Sequence, residues 1–97
     1  MHARTNWTTL RDELLADPEA RAGYEHARRA FELGEQVRQL RIERGLSQTD
    51  LARESGTSQA AIARLEAGGV EPAIRTLDRL SRPLGVQLVV RFEPAKR

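Results

Sequence analysis

Two short helix signatures separated by a glycine turn, running from Leu46 to Gly69, constrain this chain more than any other feature of it. Ser47 is a polar residue followed by helix formers, with Asp50 three positions on, so a helix starts there. Leu51 and Ala52 are its inward residues. Gly56 falls where a left-handed residue must end that helix, a conformation cheap only without a Cβ. Thr57 and Ser58 offer a second N-cap almost at once. Ile62 and Leu65, three apart, give the next helix its buried side, and Gly68-Gly69 closes it. Two helices of about two to three turns joined by a tight turn form a helix-turn-helix, which lays its second helix in a DNA major groove.

Length leaves room for little else. Ninety-seven residues make one small domain plus an extension. Aromatic residues are only 4% of the chain, and Ala and Leu dominate its apolar positions, which favours helices. No apolar run approaches the roughly 20 residues of a membrane span. The opening MHARTNWTTLRDELL lacks the apolar stretch of a signal peptide. Without cysteine there is neither disulfide nor thiolate zinc site, so the expected compartment is the cytoplasm. The net charge of +2 is unevenly spread. Residues 1–35 hold five arginines against seven acids, and residues 36–97 hold eleven Lys and Arg against seven acids. Either the two parts meet different partners, or the charges simply solvate helix faces.

Taken in order, Thr8 or Thr9 can cap a short helix through Leu10, Leu14 and Leu15, with Trp7 as a staple residue ahead of it. Asp17 is the next N-cap, and Pro18 suits the first helical position. Tyr24, Ala27, Phe31 and Leu33 then recur at near-helical spacing, continuing into Val37, Leu40 and Ile42. Gly34 is the one candidate break. The expectation is two helices meeting near residues 31–34 rather than one long helix. The narrow apolar stripe is either packed on the domain or an arm for a partner protein. Gly45 ends the helix before the core pair. Beyond Gly69, Pro72 precedes a fourth helix with Ile74, Leu77, Leu80 and Leu84 inward. Pro83 should end or kink it at residues 81–82. Val86, Leu88, Val90 and Phe92 alternate with Gln87, Val89 and Arg91, the period of a strand. A single strand leaves its backbone groups unpaired, so Gln87, Leu88, Val89, Val90, Arg91 and Phe92 should pair across a subunit boundary. The partner is a symmetry mate or the edge of another protein.

Catalysis has little to stand on. His2 and His26 have no carboxylate at metal-ligand or triad spacing, and Gly68-Gly69 is a turn without a phosphate-binding lysine. No enzyme, metal or cofactor is expected, and His26 reads as a surface helix residue. The groove-reading positions are more specific. Thr57, Ser58, Gln59, Ala60 and Ala61 lie at the turn and first turn of the second helix, the part that enters the groove. Gln59 can offer acceptor and donor together to adenine, a pairing that discriminates by about 1–3 kcal/mol. Ala60 and Ala61 let the helix sit deep and touch a thymine methyl. Arg64 reaches guanine or phosphate, while Arg75, and more weakly Arg53, are phosphate candidates. With alanines at reading positions, groove shape should carry much of the specificity.

A resemblance sharpens this. RxxRGLSQxxLA at 41–52, GTSQxxIxxLExG at 56–68 and Leu77 to Leu84 followed by Gly85-Val86 resemble the XRE/Cro-type helix-turn-helix family of lambdoid repressors. The resemblance spans about Leu33 to Val86. It implies a mainly α, lambda-repressor-like helix-turn-helix bundle, here residues 34–85. An N-terminal helical extension (1–33) and one C-terminal β-strand with its tail (86–97) flank it. It also implies that Gln48 binds phosphate from a helix N-terminus. Arg41 and Glu66 match positions that form a largely buried ion pair, though two independent surface charges would read the same. At Pro83 the family more often has a helix former.

The wider layout narrows the likeness. DPExRxxY at 17–24 and LVVRFEP at 88–94 make the chain similar to HigA-type antitoxins. That implies a cytoplasmic homodimer that binds a double-stranded operator, represses its own operon and holds a RelE/HigB-type mRNA-cutting toxin inactive. A dimer would read two half-sites ~34 Å apart. The alternatives are a stand-alone phage- or plasmid-type repressor, and a protein-interaction adaptor that no longer binds DNA.

Overall fold

The computed structural model describes residues 12–13 and 16–96. Four helices organise them: α1 (Pro18–Glu43), α2 (Gln48–Ser55), α3 (Gln59–Glu66) and α4 (Ile74–Leu84). The fold is mainly α, a helix-turn-helix bundle with an extension on α1. Of the helix expected around Leu10 to Leu15, Asp12 and Glu13 are described and helical, as is Ala16 after them; Trp7, the caps and the three leucines lie outside the described residues.

Asp17 caps α1 by accepting from the Glu19 amide at 3.0 Å, and Pro18 sits in the first turn. The helix then runs unbroken for 26 residues, about 39 Å at 1.5 Å per residue. The two helices expected here are therefore one. Gly34 costs helix stability through its freedom in the unfolded chain, yet nothing obliges it to break a helix whose neighbours all accept that geometry. Its role is close approach. Ala30, Gly34 and Val37 form the buried stripe of α1. A Cβ on Gly34 would overlap the Leu65 carbonyl oxygen and lie 3.1 Å from that of Glu66. The end of α3 thus crosses α1 backbone to backbone. Phe31, about a quarter-turn off this stripe, is 59% exposed and lies close enough to Gly68 that a Cβ there would come within 3.0 Å of its Cα, while Tyr24 and Ile42 are also exposed.

Ser47 and Asp50 close a reciprocal capping box on α2, each side chain bonded to the other's backbone N–H at 2.9 and 3.0 Å. Gly56 ends α2 at φ +73°, and Ser58 caps α3 through the Ala61 amide at 3.1 Å. Leu51, Ile62 and Leu80 are fully buried; with Val37, Ala52, Leu65 and Leu84 they form a single core covered by Leu40 and Leu46.

Three further expectations change. Ile74 is 59% exposed, not inward. It lies about a quarter-turn from the Leu77–Leu80–Leu84 stripe that meets the core. Pro83 does not stop α4, which continues to Leu84. Only one donor is lost in the final turn. Gly85 then closes the helix at φ +71°, with its own N–H and that of Val86 returning to Ser81. The C-terminal strand is not formed. Gln87 to Lys96 have no regular structure, and among the described residues no backbone group beyond Val86 bonds to another. A strand needs another extended segment to pair with, and the described elements beside this one, α1 and α4, are helices whose backbone groups are already bonded.

Candidate nucleic-acid interface

The turn between α2 and α3 presents the N-terminal end of α3 outward. Thr57 sits in it with its N–H bonded to the Ala52 carbonyl; its Oγ1 is buried without a partner among the described residues. Ser58, Gln59 and Ala60 are exposed, Ala61 is half-buried, and Arg64 is exposed one turn further along. Ile62 and Leu65 face the core on the opposite side. The outer side of α3 therefore carries small residues and one arginine that makes no ion pair among the described residues, with Gln59 at its leading edge. Arg75 is exposed at the start of α4 and makes no ion pair among the described residues. Arg53 instead pairs with Asp50 at 2.7 Å, so its charge is partly neutralised in place.

Four predicted residues, read from the sequence as one ion pair, one base contact and one phosphate contact, meet in one chain of hydrogen bonds. Gln59 Nε2 donates to Gln48 Oε1 at 2.8 Å, and Gln48 Nε2 donates to Glu66 Oε1 at 3.1 Å. Arg41 donates Nε and Nη2 to the two Glu66 oxygens at 2.7 and 2.9 Å. Its Nη1 donates to the Leu46 carbonyl at 2.9 Å. The Arg41 and Glu66 side chains are 13% and 4% exposed, so this is a buried, bidentate ion pair. The Glu66 hydrogen bond raises the Arg41 guanidinium above its ordinary value, against the opposing effect of burial. Helical spacing could have revealed the junction: Gln59, Ala63 and Glu66 fall on one stripe of α3. In contrast, the Asp50 carboxyl is held below its ordinary value chiefly by the Ser47 backbone amide.

Gln87, Val89, Val90, Arg91 and Phe92 are exposed, and Phe92 is fully so. Leu88 is half-buried and, with Leu33, Val37, Leu77 and Leu84, lines a groove of about 320 Å³ between α1 and α4. The segment is thus distant in role from the α3 face. His26 is exposed and lies 3.0 Å from Glu71, joining α1 to the loop after α3. Among the described residues no cluster of His, Cys, Asp or Glu could hold a metal, and no helix is long and apolar enough to cross a membrane.

A capped helix, a left-handed glycine turn and a second capped helix with an outward polar edge define a helix-turn-helix protein, and the chain belongs to that family, whose profile matches residues 37–90. It is 33% identical over 86 residues to an uncharacterized HTH-type transcriptional regulator of Haemophilus influenzae, an alignment covering 89% of this chain and 84% of that protein. It is 37% identical over 62 residues to the uncharacterized HTH-type transcriptional regulator y4dJ of Sinorhizobium fredii, covering 64% of this chain and 80% of y4dJ. Over 64 residues it is 39% identical to the HTH-type transcriptional regulator PuuR of Escherichia coli. That match takes 65% of this chain but only 35% of PuuR, so the chain spans about a third of that relative. No solved structure matches the chain significantly.

Proposed function

We propose that this chain is a sequence-specific DNA-binding transcriptional repressor that acts as a homodimer on a two-fold operator. The observation that carries the reading is the outer side of α3, where the exposed Gln59 and Ala60 and the half-buried Ala61 precede the exposed Arg64, with the largely buried ion pair bracing it from behind. Small residues admit the helix to a major groove, Gln59 reads an edge, and Arg64, Arg75 and Gln48 meet guanine or phosphate. One such module makes few phosphate contacts and binds weakly at cytosolic salt. Dimerisation doubles them, and the unpaired Gln87 to Phe92 segment, with Val89, Val90 and Phe92 exposed, supports a seam built from that segment. On this reading the chain works in the cytoplasm, without a cofactor or a catalytic step.

A second reading adds a protein partner. Tyr24 and Phe31 on the projecting part of α1 are 37% and 59% exposed, which supports a HigA-type antitoxin that docks a RelE/HigB-type toxin there or on the terminal segment. Intact-mass analysis of material pulled down from the host with the tagged chain separates the two. A stoichiometric small basic protein, displaced by charged substitutions at Tyr24 and Phe31, carries the antitoxin reading. A homodimer alone that still shifts its promoter leaves the stand-alone repressor.

A further inference from the structure

Glu66 does more than close the ion pair with Arg41, because its carboxylate also receives the Gln48 amide. As the anion of that pair it offers acceptors and no donor. Two of its bonds come from Arg41 at 2.7 and 2.9 Å, and the third comes from Gln48 Nε2 at 3.1 Å. Gln48 is thereby held one way round, because turning its amide over would set Oε1 against Glu66 Oε1 with no proton between them. Its Oε1 must face outward. At 2.8 Å from Gln59 Nε2, that oxygen orients the second amide in turn. Donor and acceptor identities thus pass from a side chain that is 4% exposed to one at the leading edge of α3.

Resting on the DNA-binding reading, we propose that Glu66 is a specificity-positioning residue: it sets the polarity of Gln59 through Gln48 and tilts it toward adenine against guanine. An amide nitrogen carries two hydrogens. One is committed to Gln48, so Gln59 keeps one N–H and its carbonyl oxygen. The adenine major-groove edge offers one acceptor, N7, and one donor, N6–H, which matches what remains. The guanine edge offers two acceptors, N7 and O6, and wants two donors. A free glutamine can supply both; Gln59 cannot without breaking its bond to Gln48. The ion pair deep in the fold therefore contributes to base choice as well as to stability.

The test uses the whole 97-residue chain and a duplex it selects from a randomised pool. The informative base pair is the one whose preference disappears in Gln59→Ala. Arg41→Met with Glu66→Met removes both buried charges together, and Gln48→Met cuts the relay at a half-buried site that does not threaten the core. In each folded variant, checked by thermal melting, the preference for adenine over guanine at that pair falls roughly tenfold, the lower range of one bidentate contact. Folded variants that keep the parent preference overturn the proposal, whatever happens to overall affinity. Side-chain amide resonances of the DNA-free chain give an independent reading. The Gln59 Nε2 signal shifts in Arg41→Met/Glu66→Met if the relay exists, and an unmoved signal refutes it. A parent chain that recovers no duplex at all refutes DNA binding itself, leaving those resonances to decide the relay.

Discussion

Arg41 gives its guanidinium to three acceptors at two places: both Glu66 oxygens at the end of α3, and the Leu46 carbonyl in the turn after α1. A pair this dry is uneven in its consequences. Removing one charge strands the other in a low-dielectric interior, whereas removing both removes the desolvation cost as well. Arg41→Met or Glu66→Met alone should therefore lose about 3–5 kcal/mol of unfolding free energy in urea, and the double substitution much less than the two together. Additive losses would mean that the charges act independently. Asp50 gives a residue-level prediction in pH. Its carboxyl is held below the ordinary carboxylate value by the Ser47 amide, so the folded state releases the proton more readily than the unfolded chain. The associated stability is present above the unfolded value of about 3.9 and fades as pH falls through the lower folded value. Asp50→Asn keeps an acceptor but does not titrate. Its melting temperature should lie below the parent's at neutral pH, and the gap should close in acid below about pH 4.

At the scale of elements, caps and left-handed turns were legible in the sequence because each is decided within four or five residues. Asp17, Ser47, Ser58, Gly45 and Gly56 all stand at the helix ends their chemistry implies, whereas Gly85 ends a helix expected to end or kink at residues 81–82 because of Pro83. What local pattern could not show was what passes beside a helix. Gly34 looked like a hinge, but its lack of a Cβ serves the backbone of α3 across the interface. Ile74 looked inward because it shares the leucine spacing, but at the first residue of α4 it reaches beyond the core. The alternation at residues 86–92 is real, and it specifies a strand only where another strand is available. The same reasoning separates two glycines of α1. Gly34→Ala should destabilise by about 1–3 kcal/mol through overlap with α3. Gly23→Ala meets nothing within 4 Å and should stabilise by about 0.5–1 kcal/mol, since only the helix propensity changes. Equal effects in chemical denaturation would contradict the crossing.

For the molecule as a whole, the described chain leaves two surfaces without an internal partner. One is the outward side of the first half of α1, a segment that meets the rest of the chain through Ala30 and His26 and pairs its other charges along the helix, as in Arg28 with Glu25 and Glu32 at 2.8 and 2.9 Å. The segment after Val86 keeps its backbone free and its Val89, Val90 and Phe92 side chains exposed. On the proposed homodimer, substituting lysine for Val90 and Phe92 together should shift sedimentation from dimer to monomer. DNA affinity should fall with it, because two half-sites are no longer held by one body. An unchanged sedimentation coefficient would move the seam elsewhere.

The most direct test of the central claim is the binding of parent and Gln59→Ala chains to a selected duplex and to a scrambled one at fixed salt. Gln59 is exposed and its side chain bonds only to Gln48 among the described residues, so both chains should fold, with melting temperatures separated by no more than the loss of one exposed hydrogen bond. The account predicts that the ratio of selected to scrambled affinity falls at least tenfold in Gln59→Ala, while scrambled binding holds. An undiminished ratio, or a parent chain with no preference between the duplexes, would contradict it.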